Sequence, residues 1–228
     1  MSLYSIKEFL RIPRYTRPCV YRVSFTVTAT NTGDESANAS ICVPFPQQTP
    51  FQQCADLHFS ENVRQMPDGR YGNAYAVWNP SLPPQSARML TVQCRIAVRP
   101  QYVPIGSQFS FPVEFPIGME KYRAANSYMD PALEEVVRTR AALEQTTVEA
   151  TIIAYNTHVI STLAYGNPIP GLYSVSEALT MPMVDCGGFD TLLCSLCNAS
   201  GIPARIVSGF WAGRSYKTAM HAWCEIGL

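Results

Sequence analysis

From residue 20 to residue 30 the chain alternates without a break. Tyr21, Val23, Phe25, Val27 and Ala29 interleave with Arg22, Ser24, Thr26, Thr28 and Thr30. A period of two belongs to an extended strand, whose side chains leave opposite faces in turn. A helix would scatter these apolar groups around its whole circumference, so the stretch has to lie in a sheet with one face covered and one wet. A second stretch answers it: Leu90, Val92, Cys94, Ile96 and Val98 line one face of another long strand. Between the two, Asn31-Thr32-Gly33-Asp34 supplies turn chemistry. Residues 39–44 read as a returning strand, and residues 55–60 and 74–78 as further ones. Pro67-Asp68-Gly69 and Tyr71-Gly72-Asn73 mark turns. Short strands parted by such signals predict an antiparallel β-sandwich of roughly 100 residues. The Pro- and aromatic-rich residues 100–118 read as a linker packed across a domain boundary.

The period then changes. Asp130-Pro131 followed by Glu134 and Glu135 predicts a helix start, with a capping oxygen, a first-turn proline and acids at the positive end of the dipole. Val136, Val137, Ala141 and Leu143 fit that helix. Thr147 and Glu149 open a second, carried by Ile152, Ile153, Tyr155, Val159, Ile160 and Leu163 as far as Gly166. Residues 167–183 read as a loop with a short helix at 174–179. A third helix starts near Cys186, repeats Phe189, Leu192, Leu193, Leu196 and Cys197 at helical spacing, and is closed by Gly201. Residues 204–211 and 221–226 read as strands. The expected organisation is α+β, with a β-domain at 1–120 and a second domain at 121–228.

Composition sets the function classes aside. Hydrophobic residues are 47% and charged residues 15%, which excludes a disordered or coiled-coil chain. The 17 basic and 17 acidic residues cancel and are scattered, so no nucleic-acid footprint is present. No apolar run approaches the roughly 20 residues of a membrane span. The first residues lack a signal-peptide pattern, which predicts a cytoplasmic protein. Eight cysteines could pair, but Cys42 and Cys94 sit in apolar strand patterns, and the expectation is a reducing compartment with most thiols buried.

Cys186 differs from the other seven. In Val184-Asp185-Cys186-Gly187-Gly188-Phe189 it precedes an apolar helix, where unpaired N–H groups and the dipole favour a thiolate. Gly187 and Gly188 would leave room for a substrate, and the N–H groups of Cys186 and Gly187 could receive an oxyanion. Of the three histidines His58, His158 and His221, the last opens the strand His221-Ala222-Trp223-Cys224-Glu225, which would hold an imidazole rigidly. Cys194 and Cys197 form a C-x-x-C pair, but they fall inside an apolar helix without a matching second pair, so packing outweighs zinc. His158 is expected half-exposed on its helix, Cys224 in the core, and Arg205 in an ion pair. Trp211, Tyr216 and Tyr173 are candidate pocket walls.

Asp185-Cys186-Gly187-Gly188-Phe189, then Gly201-Ile202-Pro203-Ala204-Arg205, then His221-Ala222-Trp223-Cys224-Glu225 together resemble the core of the transglutaminase-like superfamily over about residues 140–228. The resemblance implies a papain-like core and acyl transfer at amide bonds by a Cys-His-Asp triad, without a cofactor or metal. It implies Cys186 as nucleophile, His221 as base, and a peptide or protein amide as substrate, in an enzyme of bacterial cysteine-protease type. The family's acid is expected on the strand after the histidine strand, and Leu228 is seven residues past His221. Asp185 and Asp190 read instead as capping or solvating the helix start. The expectation is therefore a core truncated at its C-terminus, whose last strand edge could pair with a second copy. Hydrolysis is favoured, since no acidic loop suggests the calcium sites of animal transglutaminases. The alternatives are a non-catalytic binding or scaffold module and a true cross-linking transglutaminase.

Overall fold

A computed structural model of the chain describes residues 19–49, 51–68, 70–99, 110–115, 117–166, 172–210 and 220–227. They fall into two units, Met1–Val103 and Pro104–Leu228. The division comes earlier than position 120, because Phe111 and Val113 pack on the apolar cluster of the second unit.

In the first unit the two long alternating stretches become β1 (Cys19–Asn31) and β8 (Ser86–Val98), paired antiparallel along their whole length. Register sets Tyr21 opposite Ile96, Val23 opposite Cys94, Phe25 opposite Val92 and Val27 opposite Leu90, so the two apolar sets meet on one face. Strand β4 (Gln52–Phe59) flanks β8 on its other side, with a bulge between Ala55 and His58 where Asp56 has φ 56°. A second antiparallel sheet has the order β3 (Ile41–Pro44), β6 (Ala74–Trp78), β5 (Arg64–Pro67). Short β2 (Ala37–Asn38) and β7 (Ser81–Leu82) pair separately. Ala29, Leu90 and Val92 of the first sheet and Val43, Ala76 and Trp78 of the second share one buried cluster. Asn31 closes the turn after β1: its carboxamide accepts from Gly33 N–H at 2.9 Å and donates to Glu35 O at 2.8 Å. Cys42 departs from expectation. Its neighbour Val43 takes the inward position on β3, and alternation leaves the Cys42 thiol exposed.

The second unit holds four α-helices and a hairpin-like pair of strands among the described residues. Helix α1 (Glu134–Leu143) starts later than the Asp130-Pro131 pair suggests. Asp130 instead closes a turn just ahead of it, accepting from Ala132 N–H at 2.9 Å, and Leu133 is the capping position. Helix α2 (Val148–Thr162) is capped by the Thr147 hydroxyl, as its sequence predicts, but ends before Gly166. The chain turns extended at Leu163, and Ala164–Gly166 then pairs with Val184: Val184 N–H donates to Ala164 O and Gly166 N–H to Val184 O, both at 2.9 Å. Helix α3 (Val175–Thr180) is held by a reciprocal capping box between Ser174 and Glu177. Helix α4 (Cys186–Ala199) is the centre of the unit. Leu192, Cys194, Leu196 and Cys197 are buried in one cluster with Val136 of α1 and Tyr155 of α2. Gly201 takes φ +80° after α4, freeing Ile202 N–H to close on Cys197 O. Strands β9 (Ala204–Phe210) and β10 (Met220–Ile226) pair antiparallel and pack against α4.

Candidate active site

Cys186 is the first residue of α4, half-buried, with Asp185 at the capping position. The Asp185 carboxylate accepts from Gly187 N–H at 2.8 Å, and its backbone carbonyl from Gly188 at 3.1 Å. The cap expected of Asp185 is present, and it has a consequence. Gly187 N–H, expected as an oxyanion donor, is already used, whereas the Cys186 N–H has no partner among the described residues. One open donor therefore remains beside the sulfur.

The two glycines serve packing. A Cβ on Gly188 would stand 2.5 Å from Val184 Cβ and 2.6 Å from its Cγ2, and Val184 is fully buried. A Cβ on Gly187 would stand 3.0 Å from Leu172 Cδ2. Both glycines are buried, so the space they leave is filled by the protein itself. Thr191, one turn further along α4, donates to Tyr173 O at 2.9 Å and to Gly187 O at 2.7 Å, which fastens the segment carrying Leu172 to the helix start.

His221 is the second residue of β10, facing Gly209 in register. Two ties fix how α4 runs over this strand. Cys194 Sγ lies 3.1 Å from Cys224 Sγ, and Asn198 exchanges two hydrogen bonds with Ala204, the residue opposite Ile226. Moving from Asn198 to Cys194 and from Ile226 to Cys224 covers about 6 Å in the same direction on each element. Helix and strand thus run parallel. Continuing, Cys186 lies about 12 Å beyond Cys194 and His221 about 10 Å beyond Cys224. The two residues stand at the same end of the layer. Along β10, His221, Trp223 and Glu225 share one face and Cys224 and Ile226 pack on the helix cluster from the other, so His221 shares an end of the layer with Cys186 but not the face of β10 that α4 covers. Trp223 lies across Gly209, where a Cβ would come within 2.9 Å of its ring.

The remaining expected residues sort by burial. Asp190 neither caps nor solvates the helix: its Oδ2 is buried without a partner, and burial, with the Asp185 charge added, pushes its carboxyl up to about 7. Cys194 and Cys197 are buried, and among the described residues no group of three or more His, Cys, Asp or Glu side chains is arranged to hold a metal ion. Arg205 pairs with Glu225 across the strands at 2.7 Å and lies over the Tyr122 ring. His158 is half-buried, with Nδ1 3.4 Å from the Thr162 hydroxyl, and His58 is exposed on β4. Tyr173 is fully buried with Ala178 and Val184 and so is no pocket wall. Trp211 and Tyr216 lie outside the described residues, as does most of the loop that carries them. The sequence reading missed Tyr165, Leu172 and Met183, which surround the helix start; they sit in loop segments where no periodicity marks a side chain's direction.

Along the chain the order is cap, cysteine, buried glycines, helix, then two strands with the histidine on the second. The transglutaminase-like superfamily model matches residues 136–228. These residues form a transglutaminase-like core. The whole chain is similar in fold to the solved structure of "a Putative Cysteine Protease from Cytophaga hutchinsonii", with a TM-score of 0.70 at 12% identity, over 91% of this chain and 75% of that one. It is also matched, at a TM-score of 0.43 and 16% identity over 92% of this chain and 69% of that one, with the periplasmic domain of TgpA from Pseudomonas aeruginosa bound to ethylmercury. That second likeness is too distant to bear on the site. No curated protein sequence matches the chain. Among the described residues, no helix of the transglutaminase-like core or of the first unit is long and apolar enough to cross a membrane.

Proposed function

We propose that the protein is a thiol-dependent acyl-transfer enzyme acting at amide bonds, with water as the final acceptor. The Cys186 sulfur attacks the carbonyl carbon while the thiol proton passes to His221. The Cys186 N–H donates a hydrogen bond to the developing oxyanion. The C–N bond breaks, His221 returns its proton to the leaving amine, and a thioester remains. Water then adds to the thioester, its proton goes to His221, and the C–S bond breaks to give a carboxylic acid and the restored thiol. The observation that carries the reading is the unused N–H of Cys186 at the start of α4, on the same end of the layer as His221. The substrate is a peptide or protein amide. The buried thiols of Cys94 and Cys197, whose ionisation burial pushes up, and of Cys194, raised first by its contact with Cys224 and then by burial, support a reducing, cytoplasmic setting.

The test is release of amine from a panel of fluorogenic peptide amides. Cys186→Ala is expected to lower it on the order of a thousandfold or more, while the circular dichroism spectrum stays unchanged. Equal turnover by the variant would overturn the proposal. A wild-type protein whose Cys186 is alkylated but which turns over nothing would instead be a binding module.

A further inference from the structure

Three exposed apolar side chains converge on the start of α4. Tyr165 is 74% exposed, Leu172 39% and Met183 42%. Leu172 lies against Gly187, fastened through the bond from Thr191 to Tyr173 O. The Tyr165 ring stands 6.2 Å, centroid to centroid, from Phe189, the third residue after Cys186. Met183 lies against Gly166, next to Tyr165, and Tyr165 pairs with Val184 in the segment that runs from Met183 into Asp185-Cys186. Apolar groups clustered in the open beside a thiol lose water contact only when something apolar covers them.

The charge around them says what covers them. Between Leu163 and Phe189 the sequence has no Lys or Arg. Its two acids are both engaged in caps: Glu177 accepts from the Ser174 N–H and hydroxyl at 2.7 Å each, and Asp185 from Gly187 N–H at 2.8 Å. Among the described residues of this segment an anionic group meets no Lys or Arg side chain, and a cationic one would have to compete with the caps. We propose that Tyr165, Leu172 and Met183 form an apolar subsite beside Cys186 that receives a large uncharged side chain of the acyl donor. This rests on the acyl-transfer reading of Cys186 and names the substrate class it implies: amides whose acyl side carries an aromatic or branched aliphatic residue.

The experiment compares three alkylating probes with one warhead: iodoacetamide, N-benzyl iodoacetamide and N-(2-carboxyethyl) iodoacetamide. Each forms a C–S bond, releases iodide and gives the thiol proton to solvent. Labelling rates are read by mass spectrometry of the Cys186 peptide, with the exposed thiols of Cys19 and Cys42 as references in the same chain. The benzyl probe is expected to gain about tenfold over the carboxyethyl probe at Cys186 relative to those references, as covering part of an aromatic ring would give. Tyr165→Ala and Leu172→Ala should each reduce that ratio, and Val137→Ala, an exposed position on α1, should leave it unchanged. A ratio at Cys186 equal to that at Cys19 and Cys42 overturns the subsite. So does a ratio that survives both substitutions. A raised ratio in a protein that hydrolyses no peptide amide leaves the subsite standing and removes the hydrolytic reading. A Cys186 that no probe reaches removes both.

Discussion

Four residues past Cys186, Asp190 keeps one carboxylate oxygen buried with no partner, and its carboxyl is held up to about 7, first by burial and then by the Asp185 charge. In the unfolded chain the same group loses its proton near 4. The folded state therefore binds the proton more tightly between pH 4 and 7, and stability falls as pH rises through that window. Full burial would make the loss about 4 kcal/mol, and partial access to water lowers it. Asp190→Asn removes the charge and keeps the shape, so its urea midpoint should exceed that of the wild type at pH 8 and approach it at pH 4. An equal difference at both pH values would contradict the burial of the ionised group. Thiols follow the same physics in the opposite role. Cys194 and Cys197 are buried with their ionisation pushed well up, and should be alkylated only after unfolding, whereas Cys19 and Cys42 react in the native state. Mass spectrometry at neutral pH checks this directly. Sequence pattern foresaw burial for Cys94 and missed exposure for Cys42, because a four-residue strand does not reveal which of its two faces is covered.

At the scale of elements, caps and periods were the readable signals. The alternation of β1 and β8, the Thr147 cap of α2 and the Ser174 start of α3 all return in the structure. Helix α1 did not start at Asp130, since an Asx turn and an N-cap use the same residue types and differ only in where the chain goes next. Ser174→Ala removes the hydroxyl that accepts from Glu177 N–H, leaves the residue-174 N–H to the Glu177 carboxylate, and is expected to cost about 1 kcal/mol, read from the urea midpoint. The start of α4 is tighter. Gly188→Ala forces a methyl group onto Val184, which should cost about 1–3 kcal/mol and slow alkylation of Cys186 by shifting the helix start. Unchanged stability and labelling would show that Val184 can move aside. The glycine pair was visible in the sequence, but its reason was not: a glycine needed for an incoming substrate and one needed for a buried valine look alike until the neighbour is known.

At the scale of the molecule, the main apolar cluster of each unit has no member in common with the other among the described residues, one around Trp78 and Leu90, the other around Tyr155 and Leu192. Leu90→Ala and Leu192→Ala should each remove about 3 kcal/mol from the cluster it belongs to. Because the two positions share no partner, their effects are expected to add to within about 0.5 kcal/mol in the double variant. In a Trp211→Phe, Trp223→Phe background, denaturation followed by the fluorescence of Trp78, which is buried in the first unit, isolates the Leu90 effect; a clear response of that signal to Leu192→Ala would show that the clusters are linked. The sequence by itself determined the class of each half, its longest strands and helices, and the motifs that carry the likeness to a transglutaminase-like core, because periodicity, caps and short motifs are local properties of a chain. Only the tertiary structure decided that α4 and β10 run parallel, so that Cys186 and His221 share an end, that Gly187 N–H is taken by Asp185, and that one Asp190 carboxylate oxygen is buried. Those facts depend on which distant residues meet, and no local pattern records that.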